Sequence, residues 1–203
     1  MKKPKSGAGK GALRPTFIVG IGGSAGGLDA YRALLDALPS DTGMAFVFVT
    51  HILPTATSQL ADLLSRRTKM PVLVIGAELP IRADHVYVSP PNVDIRVEDF
   101  TFKVVSPRTR GNEVVDCFFT SLADAMGMRA IGIILSGWDG DGTEGCTLIK
   151  AKGGVVFAQD VSAEVSGMPL SVQAAGCVDF VLPPDKISRK IEQLGRRARK
   201  RQG

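Results

Sequence analysis

The sequence predicts a single α/β domain with a doubly wound, mostly parallel, Rossmann-like sheet and an antiparallel hairpin insertion. Two observations carry this prediction. Short, continuous apolar runs rich in Val, Ile and Phe alternate with segments whose apolar residues recur at helical spacing, the pattern of successive βα units. The 203 residues, 44% of them hydrophobic and 22% charged, also suffice for one sizeable core.

Residues 1–15 form a Gly/Lys-rich basic leader ending at Pro15, expected to lack fixed structure. The folded part is expected over residues 16–191. TFIVGI reads as a strand, GGSAGG as a glycine turn, and LDAYRALLDALP as a helix. AFVFVTHI (Ala45 to Ile52) is a second strand, followed by the helical TSQLADLLSRRT and by a third apolar run, PVLVIG. The rhythm then changes: HVYVSPP, VDIRVED and FTFKVVS are short alternating segments separated by Pro, Asn and Asp, and they predict an antiparallel insertion. Alternation returns with the helix VVDCFFTSLADAMG, the buried strand RAIGIILSG, the helix DGTEGCTLIKAKGG and the strand VVFAQD. Helical PLSVQAAG, the short strand CVDFVLPP and an amphipathic helix capped by Asp185 close the pattern, and residues 192–203 are its basic helix end and tail.

Charge is unevenly spread. The formal net charge is +5, yet residues 1–14 and 186–203 together carry +12, leaving −7 on residues 15–185. A nucleic-acid binder is expected to place basic residues with aromatics on a folded face, whereas RRARKR contains no aromatic residue, so no nucleic-acid partner is expected. No apolar run is long enough to span a bilayer, and no apolar segment follows the charged N-terminus, so a cytoplasmic location without membrane insertion is expected. Cys117, Cys146 and Cys177 are widely spaced, with no C-x-x-C pair, and read as packing residues.

In an open parallel sheet, ligand chemistry belongs at the C-terminal strand ends. Gly22-Gly-Ser24-Ala-Gly26 fits G-x-S-x-G, the strand-turn-helix elbow that exposes a serine hydroxyl. The same stretch fits the weak dinucleotide pattern through Gly20, Gly22 and Ala25, and its glycines would also serve a tight turn and close helix packing. The next strand ends at His51. The strand Ala130 to Leu135 runs into Ser136-Gly-Trp-Asp-Gly-Asp-Gly142, whose Asp139 and Asp141 would orient an imidazole, cap the following helix, or ligate a cation; the third acid of a calcium loop is missing. Ser24, His51 and one of these aspartates are thus candidates for nucleophile, general base and orienting carboxylate. Their chain order differs from that of α/β-hydrolases. His85 reads as structural. A dinucleotide site lacks the acidic ribose contact expected about 20 residues after the glycine loop, and no cofactor or metal is expected.

Taken together, FIVGIGGSAGG, FVFVTHI, ILSGWDGDGTEG, ELPIRADHVYVSPPNVDI and AQDVSAEVSGMPLSVQAAGCVDFVLPPDKI resemble the catalytic domain of the chemotaxis protein-glutamate methylesterases, the CheB family, over about Thr16 to Ile191. SAGGLDAY, HVYVSPPN and DFVLPP are closest in wording to the esterase domain of methylesterase-methyltransferase fusions. The resemblance implies a serine esterase that hydrolyses γ-glutamyl methyl esters on cytoplasmic chemoreceptor helices, releasing methanol, and that deamidates certain receptor glutamines. Its partners would be a methyl-accepting receptor and, as functional counterpart, a CheR-type methyltransferase. It implies Ser24 as nucleophile, His51 as general base and acid, Asp141 as orienting carboxylate, and backbone N–H groups of Ala25 and Trp138 as oxyanion donors. Gly23 stands where the family usually has Ala, Thr50 where it usually has Gln, and Trp138-Asp139 where it has no such bulky, charged pair. Residues 1–15 are too few for the family's usual regulatory receiver domain. A catalytically silent receptor-docking or regulatory module of the same fold is the alternative.

Overall fold

The structure is a computed structural model describing residues 14–50, 57–109, 111 and 113–200. The basic leader up to residue 13 and the tail from residue 201 lie outside the described residues, as does His51.

In chain order the elements are β1 (Ile18–Gly23), α1 (Gly27–Asp36), β2 (Ala45–Thr50), α2 (Thr57–Ser65), β3 (Val72–Val74), β4 (His85–Val88), β5 (Asp94–Glu98), β6 (Thr101–Val105), α3 (Val114–Met126), β7 (Ala130–Ile134), α4 (Thr143–Ala151), β8 (Val155–Gln159), α5 (Gly167–Ala174), β9 (Phe180–Leu182) and α6 (Pro184–Lys200). Seven strands make one sheet in the order β3-β4-β2-β1-β7-β8-β9, every neighbouring pair parallel. From β1 the chain lays β2 beside it, goes to the edge for β3 and fills the gap with β4, then returns to the other side of β1 for β7, β8 and β9. This reversal between β1 and β7 is where an open α/β sheet forms its ligand crevice.

Both faces of the sheet are covered, so β1, β2 and β7 are buried along their whole length and read as continuous apolar runs. On one face, Leu34 of α1, Leu64 of α2 and Ile187 and Ile191 of α6 pack onto Val19, Phe46 and Ile133. On the other, Phe118 and Phe119 of α3, Ile149 of α4, Val172 of α5 and Phe102 of the β5–β6 hairpin pack together. The α1 pattern Ala30, Tyr31, Leu34, Leu35 is the three-and-four spacing of a helix burying one stripe. Gly20 and Gly22 let α3 lie directly on β1: a Cβ at either would stand 2.6 Å from Phe119 or Val115. Their absent side chains serve helix packing, the structural role among the readings of the glycine loop.

The predicted insertion is smaller than its sequence suggests. Among the described strands β5 and β6 pair antiparallel, with an isolated antiparallel bridge from Thr101 to Pro80, whereas β4 pairs in parallel with both β2 and β3 inside the main sheet. HVYV alternates like a half-exposed strand because Tyr87 looks polar. In the fold Val86, Tyr87 and Val88 are all fully buried, and the Tyr87 hydroxyl donates to Pro80 O (3.1 Å) and accepts the Arg82 N–H (2.9 Å). A satisfied tyrosine hydroxyl thus permits full burial. Asp185 also differs from expectation. The helix begins at Pro184, a favoured first position, so Asp185 sits in the first turn and pairs with Arg189 at 3.7 Å rather than capping. Leu194 of the same helix packs against the core beyond residue 191.

Candidate active site

The serine loop is set by its glycines and by one distant side chain. β1 ends at Gly23, α1 begins at Gly27, and the turn closes through the Gly27 N–H donating to Ser24 O at 3.1 Å. Gly26 turns the chain at φ 70°, and a Cβ there would stand 2.8 Å from both Ser136 Oγ and Glu164 Cβ. Ser24 itself is half-buried, and its N–H donates to Ser136 O at 2.8 Å.

Ser136, the residue that leads out of β7, holds three segments together. Its fully buried hydroxyl donates to Ala25 O (2.8 Å) and accepts the Val165 N–H (2.9 Å). Its own N–H donates to Gln159 Oε1 at 3.0 Å, while Gln159 Nε2 donates to Ser162 Oγ at 3.2 Å. Gly137 adds a parallel bridge to Ser166, with the Gly137 N–H donating to Val165 O and the Met168 N–H to Gly137 O, both 2.9 Å. The peptides on either side of Ala25 are therefore fixed, Ser24 O by Gly27 and Ala25 O by Ser136. Neither Ser136 nor Gln159 was singled out from the sequence. A small polar residue after an apolar run carries no sign of its partner, and this one lies 111 positions away.

After Gly137, Trp138 and Asp139 emerge into solvent, Trp138 being 74% exposed, and the chain then dives so that Asp141 is only 6% exposed. Asp141 does not cap the helix that follows it. The α4 cap position is Gly142, without a side-chain cap bond. Asp141 caps α3 instead: Oδ2 accepts the Val115 N–H at 2.9 Å and Oδ1 the Asp116 N–H at 2.8 Å. Two otherwise unpaired donors and the positive end of the α3 dipole hold this carboxylate. Asp139 Oδ1 accepts the Asp141 N–H at 3.2 Å, supporting the turn.

Ser24 and Asp141 therefore stand on the loops after β1 and β7, the two strands flanking the reversal. His51 cannot be placed among the described residues; the last residue of β2, Thr50, pairs in register with Gly23, the residue before Ser24. His85 lies at the opposite, N-terminal end of the strands, at the start of β4 and in register with Ala45. Its Nδ1 is 2.8 Å from Ala83 O and its ring stacks on Tyr87, as a structural histidine would. All three cysteines are buried, and burial pushes the Cys146 thiol well above its ordinary range, the opposite of an activated nucleophile.

Gly23 has a local explanation. A Cβ there would stand 2.5 Å from Tyr31 Oη, and one at Gly27 2.9 Å from it. The Tyr31 ring occupies the space that an alanine at position 23 would need. Burial raises the Tyr31 hydroxyl's pKa far above normal, so it stays protonated.

These features define an α/β domain that carries a serine and a helix-bound carboxylate on the loops after the two strands flanking the reversal of a doubly wound sheet. The family model of the CheB methylesterases matches residues 19–191. A Leptospira interrogans chain is 31% identical over 178 residues, covering 86% of this chain and 92% of that one. Protein-glutamate methylesterase/protein-glutamine glutaminase 2 of Burkholderia lata is 35% identical over 188 residues; the match covers 88% of this chain and 53% of that protein, so the chain spans about half its length. The crystal structure of the Thermotoga maritima CheB methylesterase catalytic domain superposes with a TM-score of 0.80 at 28% identity, covering 88% of this chain and 98% of that one. The chain belongs to the CheB methylesterase family, whose named members here are carboxylic ester hydrolases.

Proposed function

We propose that the chain hydrolyses γ-glutamyl methyl esters on the cytoplasmic helices of a chemoreceptor or a similarly methylated signalling protein, reversing a CheR-type methyltransferase. The observation that carries the reading is the pairing of loops at the sheet reversal: the backbone of Ser24 is bonded to the same segment, Ser136 to Asp141, that supplies the buried carboxylate.

In this reading Ser24 Oγ attacks the ester carbonyl carbon while His51 takes its proton. Charge developing on the carbonyl oxygen is met by the Ala25 and Trp138 N–H groups. No backbone acceptor takes the Ala25 N–H among the described residues. Collapse breaks the C–OCH3 bond, His51 returns the proton, and methanol leaves. Water then attacks the glutamyl ester of Ser24, again with His51 as base, and releases the γ-carboxylate and the serine hydroxyl. Asp141 holds the imidazole tautomer and stabilises its protonated form. A glutamine substrate follows the same course with ammonia as leaving group. Trp138 and Asp139, exposed beside the serine loop, would meet the flanks of the substrate helix.

The test is methanol release from receptor cytoplasmic fragments carrying methylated glutamates, with wild-type protein beside Ser24→Ala. Release by wild type alone supports the assignment. Equal release by a folded Ser24→Ala removes Ser24 as nucleophile, and no release from folded wild type across several fragments removes the activity.

A further inference from the structure

Asp141 is not the only buried carboxylate at this junction. Asp116, one of the two residues whose N–H groups bind Asp141, lies in the first turn of α3 and is 8% exposed. Its Oδ1 accepts the Gly145 N–H at 2.7 Å, in the first turn of α4. The two helices thus exchange carboxylates: Asp141, from the loop before α4, binds the N-terminus of α3, and Asp116, from α3, binds the N-terminus of α4. Gly145 makes the exchange possible, because a Cβ there would stand 2.4 Å from Phe119 Cβ and 3.4 Å from Asp116 Oδ1.

We infer that Asp116 is a positioning residue for Asp141, fixing the loop that carries it through the α4 N-terminus and setting a second negative charge behind it. The inference rests on the reading of Asp141 as the carboxylate that orients His51. Each carboxylate meets the partial positive charge of the helix opposite, which helps two acids share a buried junction. Burial lifts the Asp116 carboxyl above its ordinary range, opposed by the Gly145 N–H bond and reinforced by the charge of Asp141. The titratable groups facing Asp116 among the described residues are Asp141, Glu144 and Cys146, the last a buried thiol kept neutral. Once ionised, Asp116 adds to the negative field that stabilises an imidazolium held by Asp141.

Asp116→Asn keeps an oxygen for the Gly145 N–H but removes the charge, whereas Asp116→Ala removes both. The measurement is the pH profile of kcat/KM for methanol release by the full chain, with kcat and KM separated at the plateau. In Asp116→Asn the acid limb is expected to move down by about half a pH unit, because loss of a nearby anion lowers the pKa of the imidazolium. In Asp116→Ala, kcat is expected to fall by about tenfold or more with KM changed less than about twofold, and the Asn variant to recover most of that loss. An unshifted acid limb in Asp116→Asn overturns the inference whatever happens to the melting temperature. Should Asp116→Ala fail to fold, the Asn profile decides alone. A wild-type rate in Asp141→Asn is a different failure: it removes the role of Asp141, and this inference with it.

Discussion

Ser136→Ala removes one oxygen from the side chain that joins the serine loop to the rest of the site. That hydroxyl makes two bonds, to Ala25 O at 2.8 Å and from the Val165 N–H at 2.9 Å, on a residue with no exposed surface. Ala25 and Val165 are themselves half-buried, so water reaches the two freed backbone groups only in part. At roughly 1–1.5 kcal/mol for each lost bond with its partner left behind, the expected destabilisation is about 2–3 kcal/mol. For a chain of this size that corresponds to a melting temperature lower by about 4–12 °C. Urea unfolding should show the midpoint falling with an unchanged slope, since the surface exposed on unfolding stays the same. Under conditions where the variant is fully folded, the freed Ala25–Gly26 peptide should also lower kcat by about tenfold or more, because the adjoining Ser24–Ala25 peptide, which carries the Ala25 N–H, then keeps only its bond to Gly27. A destabilisation below about 0.5 kcal/mol with unchanged kcat would refute the reasoning. It would show that Gly27 and the backbone of Ser136 hold the loop unaided.

Four further outcomes are expected. Asp141→Asn turns one of two accepting oxygens into a donor facing a backbone N–H and removes the charge at the α3 N-terminus, so it should cost about 2–4 kcal/mol and about a thousandfold or more in kcat. Asp139→Asn keeps an acceptor in an exposed turn and should cost less than about 0.5 kcal/mol and less than about tenfold, with denaturation curves and methanol release deciding the order. Gly23→Ala drives a methyl against Tyr31 Oη and should cost about 1–3 kcal/mol, while Gly23→Ala/Tyr31→Phe should recover much of the loss; an additive double-mutant cycle would refute the contact. In the native protein a thiol reagent should react slowly with all three cysteines, and all three should titrate at once in denaturant; rapid native labelling of Cys146 would contradict its burial.

The strands nearest the site were the easiest to read from the sequence, and for a physical reason. A parallel strand buried on both faces must be apolar throughout, so IVGIGG, AFVFVT and AIGII announce themselves, and the rim loops follow from where those runs stop. β4 was misread because the tyrosine in HVYV hides its hydroxyl by bonding Pro80 and Arg82, partners that sequence periodicity does not reveal. Ser24 and Asp141 were legible as types at strand ends. What holds them was not: Ser136 reaches back to Ala25 beyond the neighbouring strand, and Asp141 caps an earlier helix through N–H groups 25 and 26 residues before it. Such bonds depend on how the layers stack, and only the folded topology brings their partners together. The Gly23–Tyr31 contact is of the same kind, since the departure at position 23 has its reason eight residues later, one turn into the facing side of α1.

The stitch from Ser136 to Ala25 also bears on synthesis. A ribosome delivers the serine loop first, whereas the hydroxyl that steadies it arrives 111 residues later, and Val165, its other partner, later still. A nascent chain would carry the serine well before it carried a working site. Assembly of the serine loop is thereby tied to completion of the far half of the sheet, so a stalled or truncated product would carry Ser24 on a loop that has lost its anchor.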